Sequence, residues 1–351
     1  MTKKFSILFT SILVFSFLQM DCKDDPPVVP PIIPPDSTSQ EFTIQVFEVG
    51  APHTFQITRD VWVFDKNNIW VVGDFYLSDS TVSGGTRESN IIRWDGKKWY
   101  QYGPFFNSSG LIGISAIDSS KLYLTDGLVI KYDGVFNRYN FTSMEFKPGQ
   151  NILKVWAINE NNIWGVGLNG MVVHYDGTSW RKLNFPEGWG FGSISGSTKN
   201  GFGYAIASSI ESDIIVELRP DSAFILTTYP AVNYALDAYT LTDSTLFISG
   251  NPSRIFNLNT KKDTVIHSFN NPWPQMTAFH TKNDIIWLMF DSINRKYSLR
   301  HFNGNRYRDI ALLQQYSEQV FYHGSYASNN FFAFVGDADN GKSVILLLTR
   351  R

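Results

Sequence analysis

The chain has 351 residues, a formal net charge of −2 and no block of basic residues. We therefore expect no phosphate-neutralising surface and no nucleic-acid partner. Aromatic residues make up 15% of the chain and charged residues only 18%. This balance favours many half-buried strands, because aromatic side chains pack well on a pleated sheet.

Residues 1–21 are predicted to form an export signal. Lys3 and Lys4 supply a positive start, and the apolar stretch Phe5–Leu18 follows them. That stretch is short for a membrane-spanning helix, whereas its length and flanks suit a signal peptide.

Cys22 directly follows this segment and is the one cysteine in the sequence, so no disulfide can form within the chain. A lone cysteine in this place resembles the acceptor of bacterial lipoproteins, and Lys23-Asp24-Asp25 resembles the acidic export tag of surface lipoproteins. The resemblance implies a protein anchored by lipid to the cell outer membrane and exposed at the surface. Gln19 and Asp21 stand where the usual motif has leucine and a small residue. The alternative is an ordinary secretion signal with an incidental cysteine.

Residues 22–40 are predicted to form a stalk after the lipidated cysteine. The segment contains three proline pairs, and such pairs favour polyproline II. At about 3.1 Å per residue the stalk would span roughly 40 Å. Residues 41–351 then form the folded domain.

A repeated sequence motif, which we call the repeat phrase, dominates this domain. Its clearest copy, at 152–180, predicts strands at Leu153–Ile158, Ile163–Val166 and Met171–Tyr175, then an Asp176-Gly177 hairpin turn and a fourth strand near Trp180. Related phrases recur at intervals of roughly 40 residues, which is typical of a β-propeller with one four-stranded blade per copy. The other first strands are predicted at Asp60–Phe64, Ile114–Ile117, Gly192–Gly196, Leu236–Thr240, Met276–His280 and Tyr322–Ala327.

The seventh copy lacks its fourth strand. Phe42–Glu48 alternates apolar and polar residues and precedes the first copy. We predict that it pairs beside Val344–Leu348 and closes the ring, which protects otherwise exposed strand edges. The sequence thus predicts an all-β, seven-bladed β-propeller, with six or eight blades as alternatives.

Two families share parts of the phrase. The runs 163–167 (IWGVG) and 175–180 (YDGTSW) resemble repeats of uncharacterised bacterial β-propeller lipoproteins and are similar to propeller repeats of two-component sensors. The turns Asp95–Trp99 and Asp176–Trp180 distantly resemble the Asp-box of sialidases, which is structural. Because a fold does not imply a function, these resemblances imply a propeller and no particular activity.

In a propeller, the loops between second and third strands share one face with the loops between blades, and binding residues tend to lie on such loops. The longest predicted loop, Gly73–Ser89, belongs to the first blade, and Asp337–Lys342 belongs to the seventh. The candidate ligand-binding residues are Arg87, Phe105, Phe106, Trp189, Trp273, Asp337 and Asp339. The alternative for the aromatic ones is that they cap the blades as core.

No catalytic, metal-binding or cofactor-binding motif is recognisable, so we expect no metal or cofactor. The sequence favours a surface-anchored, monomeric, non-enzymatic propeller that binds a glycan or a surface or extracellular protein through the loops of blades six, seven and one. The alternative is a carbohydrate-active enzyme, a glycoside hydrolase or lyase, with carboxylates at the channel mouth.

Overall fold

The computed structural model describes residues 38–51, 54–103, 110–141, 144–231, 237–318, 320–328 and 330–351. The predicted export signal, Cys22 and most of the predicted stalk lie outside them. The described residues belong to one compact unit, Ser37–Arg351. They contain no helix long and apolar enough to cross a membrane.

Seven four-stranded antiparallel sheets form the blades of a ring, and the predicted seven-bladed β-propeller is confirmed. The first four blades comprise β2 (Ile57–Asp65), β3 (Asn68–Ser78), β4 (Thr86–Trp94) and β5 (Trp99–Tyr102); β6 (Gly113–Asp118), β7 (Lys121–Thr125), β8 (Val129–Tyr132) and β9 (Phe136–Arg138); β10 (Ile152–Asn159), β11 (Asn162–Gly167), β12 (Val172–Tyr175) and β13 (Trp180–Lys182); and β14 (Gly190–Gly196), β15 (Gly203–Ser208), β16 (Ser212–Arg219) and β17 (Ser222–Pro230).

The remaining blades complete the circle. They comprise β18 (Ala238–Thr242), β19 (Thr245–Ile248), β20 (Ser253–Asn257) and β21 (Lys262–His267); β22 (Trp273–Thr281), β23 (Asp284–Asp291), β24 (Lys296–Phe302) and β25 (Tyr307–Ile310); and β26 (Val320–Ala327), β27 (Phe331–Ala338) and β28 (Ser343–Arg350) with β1 (Phe42–Val49). One short helix, α1 (Gln314–Glu318), links the sixth and seventh blades.

The ring closes where β1 pairs with β28. The two strands are antiparallel from Phe42, opposite Arg350, to Val49, opposite Ser343. The register places Ile44 opposite Leu348, which confirms the predicted closure. The N-terminal strand is thus the outermost strand of the seventh blade.

Adjacent blades pack face to face, and this explains why the central strands are apolar on both sides. Trp70 and Trp164 follow isoleucine at corresponding places in the first and third blades, and each is at most 1% exposed. Trp287 lies one position further along β23, so it faces the other side of its blade, and it is fully buried as well. A ring of this size contacts the neighbouring blade as well as its own, so its burial stabilises the interface between blades.

The turns at the outer ends of the blades follow the predicted chemistry. Asp95 accepts hydrogen bonds from the backbone N–H groups of Lys97 and Lys98, both at 2.8 Å. Gly96 supplies the left-handed φ of 92° that the turn requires. The Asp176-Gly177 turn repeats this arrangement.

The segment that leads into β1 lies against one of these turns. The side-chain amide of Gln40 donates to the carbonyl of Arg306 at 3.0 Å, and Asn303 donates to the carbonyl of Thr38 at 3.1 Å. Because Asn303 and Arg306 belong to the turn between β24 and β25, the N-terminal segment leads into β1 from the face that carries these turns.

One predicted loop is wrong. Gly73–Ser89 was expected to be a long connection in the first blade, but β3 continues to Ser78 and β4 begins at Thr86. A register shift lies between Val72 and Phe75, and beyond it Phe75 pairs with Ser89. Gly73 and Asp74 form this bulge, which interrupts the ladder without ending it. The two strands therefore extend as a hairpin beyond the blade.

Closure generates a stability prediction. Phe47 on β1 lies 4.8 Å from the ring of Trp94 and 5.4 Å from that of Trp99, so it joins the last blade to the first. Phe47→Ala should lower the free energy of unfolding by about 3–5 kcal/mol, because it opens a cavity at this interface. Urea denaturation monitored by tryptophan fluorescence measures the loss. Gln45→Ala, an exposed position on the same strand, should change stability little. Equal effects of the two variants would contradict this role of Phe47.

Candidate functional site

The two faces of the ring are set by the strand order. Each blade begins with its innermost strand, so the connections between blades share one face with the turns between second and third strands. We name this the entry face. The other two kinds of turn lie on the opposite face. Residues early in each innermost strand therefore lie towards the entry face, and later residues lie deeper.

A cavity of about 560 Å³ occupies the centre of the ring and is lined by the innermost strands of all seven blades. Register shifts occur just before Asp60, Lys154 and Ser193 in their strands. A bulge changes which side chains a strand directs to each face. These three polar residues all line the cavity.

Asp60 joins three blades at the entry end of this cavity. The Lys154 ammonium lies 2.8 Å from Oδ2 of Asp60, and the backbone N–H of Ile114 donates to the same oxygen at 3.4 Å. Oδ1 of Asp60 accepts from the N–H of Val61 at 3.0 Å. Burial alone would lower the pKa of Lys154, but the charge and hydrogen bond of Asp60 outweigh this effect and raise it. Lys154 therefore stays protonated.

Asp237 lies in the same cavity without an ion pair at hydrogen-bonding distance in the described part of the chain. Burial raises the pKa of its carboxyl to about 6, although the Ser193 hydroxyl, the Lys154 charge and the Tyr239 hydroxyl pull it down. The carboxyl thus loses hydration without gaining a direct cation, which is costly for its charged form.

Aromatic rings line the deeper part of the cavity. The ring of Trp62 lies 4.9 Å from that of Tyr326 and 6.2 Å from that of Trp156. The hydroxyl of Tyr239 donates to the carbonyl of Thr277 at 2.7 Å. The cavity therefore has a charged mouth and an aromatic interior.

The predicted site residues do not converge on this cavity. Arg87 lies on the extended hairpin and pairs with Asp79 at 2.7 Å. Trp189 is partly buried against the core between the third and fourth blades. Trp273 was expected in a loop between blades, but it is the first residue of β22 and is 37% exposed. Phe105 and Phe106 lie outside the described residues.

Asp337 and Asp339 were placed in one loop by the sequence but differ sharply in the structure. Asp337 belongs to β27 and is 8% exposed, whereas Asp339 is exposed in the turn that follows. Asp337 accepts a hydrogen bond from the N–H of Thr58 at 2.8 Å and a short one from its hydroxyl, and His323 lies 3.2 Å away. Asp337 therefore fastens the seventh blade to the first.

Exposed apolar side chains are concentrated on the entry face. Fourteen large hydrophobic residues of the described chain are exposed, and eight of them lie on this face. Of the other six, Val135 lies on the opposite face and five lie on outer strands. Six of the eight belong to blades six, seven and one, which are contiguous in the ring. We name them the apolar arc: Phe55, Tyr76, Trp273, Ile293, Leu313 and Phe321.

This arrangement defines the class of protein: a seven-bladed β-propeller with a charged channel mouth beside an apolar arc. No family model matches the chain, and no curated protein matches it. The fold is similar to solved structures. The structure "YCF48 bound to D1 peptide" has 11% identity and a TM-score of 0.63, over 90% of this chain and 97% of that one. YCF48 from Cyanidioschyzon merolae has 14% identity and a TM-score of 0.57, over 87% of this chain and 98% of that one.

A third structure is the extracellular domain of the hybrid two-component system BT4673 from B. thetaiotaomicron. It has 12% identity and a TM-score of 0.56, over 86% of this chain and 40% of that one. It belongs to the sensor class that the repeat phrase resembles, which supports that resemblance for the fold. Identities this low show the fold alone.

Asp237 generates a pH-dependent stability prediction. Its pKa of about 6 in the folded protein exceeds the ordinary 3.8, so the folded state holds more protons between these values and stability falls as pH rises through this window. Asp237→Asn removes the penalty and should stabilise the protein at pH 7.5 by about 1–3 kcal/mol.

The gain should shrink as pH falls below 6 and should be nearly lost by about pH 3.5, where the wild-type carboxyl is mostly protonated in both states. Urea denaturation at several pH values measures it. Asp221→Asn, which changes an 80% exposed carboxylate, serves as the control. An Asp237→Asn protein that is less stable at pH 7.5, or a gain that persists at pH 3.5, would contradict the assignment.

Proposed function

We propose that this protein binds a polypeptide through the apolar arc and the adjoining channel mouth, without catalysing a reaction. The observation that carries the proposal is the one-sided placement of exposed apolar side chains. Large apolar patches on a soluble surface mark interaction sites, whereas single exposed residues do not. The opposite face lacks such a cluster among the described residues and carries polar turns instead.

The chemistry of the arc favours a polypeptide over a glycan. Ile293 is 79% exposed and Leu313 is 67% exposed. Branched aliphatic side chains cannot stack flat on a sugar ring, but they fill apolar pockets and contact apolar side chains at protein interfaces. Trp273 and Phe321 add aromatic side chains of the kind that dominate interface energies. One propeller of similar fold, YCF48, was solved bound to the D1 peptide.

A second candidate function is cleavage of a carbohydrate by a glycoside hydrolase or lyase. Asp60 and Asp237 share one cavity, and a carboxyl with a pKa of about 6 suits a general acid. The contacts of Asp60 argue against it. Both carboxylate oxygens already accept hydrogen bonds, and one also pairs with Lys154. A carboxylate held in this way is poorly placed to act as the second catalytic group.

A binding experiment tests the proposed face. A random displayed-peptide library selected on the full chain should yield binders that lose at least about tenfold in affinity towards Ile293→Asp or Leu313→Asp, which corresponds to about 1.4 kcal/mol. A carboxylate at either position would have to be desolvated against an apolar ligand. Val135→Asp, a matched change at a 65% exposed position on the opposite face, should leave binding unchanged.

Three results would contradict the proposal. They are a selection that yields no binder, binders that are indifferent to both arc variants, and binding to a glycan array in place of peptides. Release of reducing ends from a polysaccharide by the wild type and not by Asp237→Asn would favour the enzymatic alternative.

We further propose that the protein is anchored to the outer membrane by lipid on Cys22 and exposed at the cell surface. The support is the order of charges, apolar stretch and lone cysteine in residues 1–25. In bacterial cells the wild type should partition with membranes and be accessible to added protease, whereas Cys22→Ser should lose the lipid and leave the membrane fraction. Equal partitioning of the two proteins would contradict lipid attachment.

A further inference from the structure

The channel mouth has fewer positive than negative groups. Among the described residues that line the cavity, the carboxylates are Asp60 and Asp237, and the one ammonium is Lys154. Two negative charges against one positive charge leave a net charge of −1 when Asp237 is ionised. His323 also lines the cavity, but its ring already lies 3.2 Å from Asp337. The mouth is therefore complementary to an added cation.

Asp237 is the group that such a cation would satisfy. Lys154 lies at ion-pair distance from Asp60 and acts on Asp237 from farther away. A half-buried carboxylate without a direct ion pair is costly, and a cation that enters the cavity offsets this cost. Binding of a cation at the mouth would thus recover part of the free energy that desolvation of Asp237 costs on folding.

The cavity also suits the shape of a long cationic side chain. Its volume of about 560 Å³ exceeds that of any single side chain. One side chain of a ligand therefore fits inside the cavity while the ligand's backbone stays at the entry face. Trp62, Trp156 and Tyr326 lie deeper than the carboxylates. These rings lie beyond the carboxylates, where they attract the charged end of a lysine or arginine side chain.

We propose that the channel mouth receives a lysine or arginine side chain of the bound polypeptide, with its charged group beside Asp237 and Asp60. The inference rests on the proposed polypeptide function and adds the residue type that the ligand must present. The apolar arc supplies affinity around the channel, and the carboxylates select the side chain that enters it. An acidic side chain is rejected, because it would be desolvated against two like charges.

The pH dependence follows from the groups that face Asp237. These are the charges of Lys154 and Asp60 and the hydroxyls of Ser193 and Tyr239. The raised pKa of Lys154 keeps this group charged near neutral pH. His323 also lines the cavity but lies beside Asp337, so we assign the change to Asp237. Because its pKa is about 6, preference for a cation should strengthen as pH rises from 5 to 7.5. Cation binding near pH 6 should release a proton.

Peptide pools that differ at one central position test the proposal. The central residue is lysine, arginine, norleucine, citrulline or glutamate, and the flanking positions are equally mixed in all pools. The lysine and arginine pools should bind the full chain about tenfold more tightly than their neutral counterparts at pH 7.5. The preference should be smaller at pH 5. The glutamate pool should bind most weakly.

Asp237→Asn should abolish the preference, so that the lysine and norleucine pools bind this variant equally. Because this variant is expected to be more stable than the wild type at pH 7.5, unfolding cannot account for the loss. Asp221→Asn should retain the preference. Equal binding of all pools, preference for glutamate, or preference retained in Asp237→Asn would overturn the inference.

The same experiment separates this inference from the proposed function. If all pools bind equally and Ile293→Asp weakens every one, polypeptide binding stands and cation selection fails. If no pool binds, both fail.

Discussion

The pairing of β1 with β28 is the constraint on which the whole arrangement depends. It joins segments at opposite ends of the described chain and turns seven separate sheets into a closed ring. Closure brings the first strands of all blades to one axis, and residues that are distant in sequence become neighbours there. Asp60 and Lys154 are 94 positions apart, yet they form an ion pair across the channel because the ring places their strands around one cavity.

The polar contacts between blades have two different consequences. Thr58 with Asp337, and Tyr239 with Thr277, satisfy buried groups and hold blades together. Asp237 is different, since its carboxyl destabilises the folded protein in its charged form. Stability alone gives no reason for a half-buried carboxylate at this position. A binding role does, because functional sites commonly hold groups that the rest of the structure must offset.

The architecture was predictable because it rests on repeated local chemistry. The Asp-Gly turns and the Ile-Trp pairs recur in several blades, and the alternation in Phe42–Glu48 indicated a strand in need of a partner. The channel mouth was not predictable. Corresponding inward positions hold Asp60, Lys154 and Ser193, which share no residue type, and register shifts hide their alignment. Asp337 was misplaced for a related reason: its sequence neighbours resemble a loop, while its partner Thr58 lies at the other end of the chain.

The contacts of Thr38 and Gln40 determine from which side the propeller is held. These residues contact the turn between β24 and β25, so the N-terminal segment reaches the ring from the face opposite the apolar arc. A tether attached through this segment would fix the polar side towards its support. The arc and the channel mouth would then point outward, unobstructed by the surface to which the protein is attached, and a large partner could approach without meeting that surface.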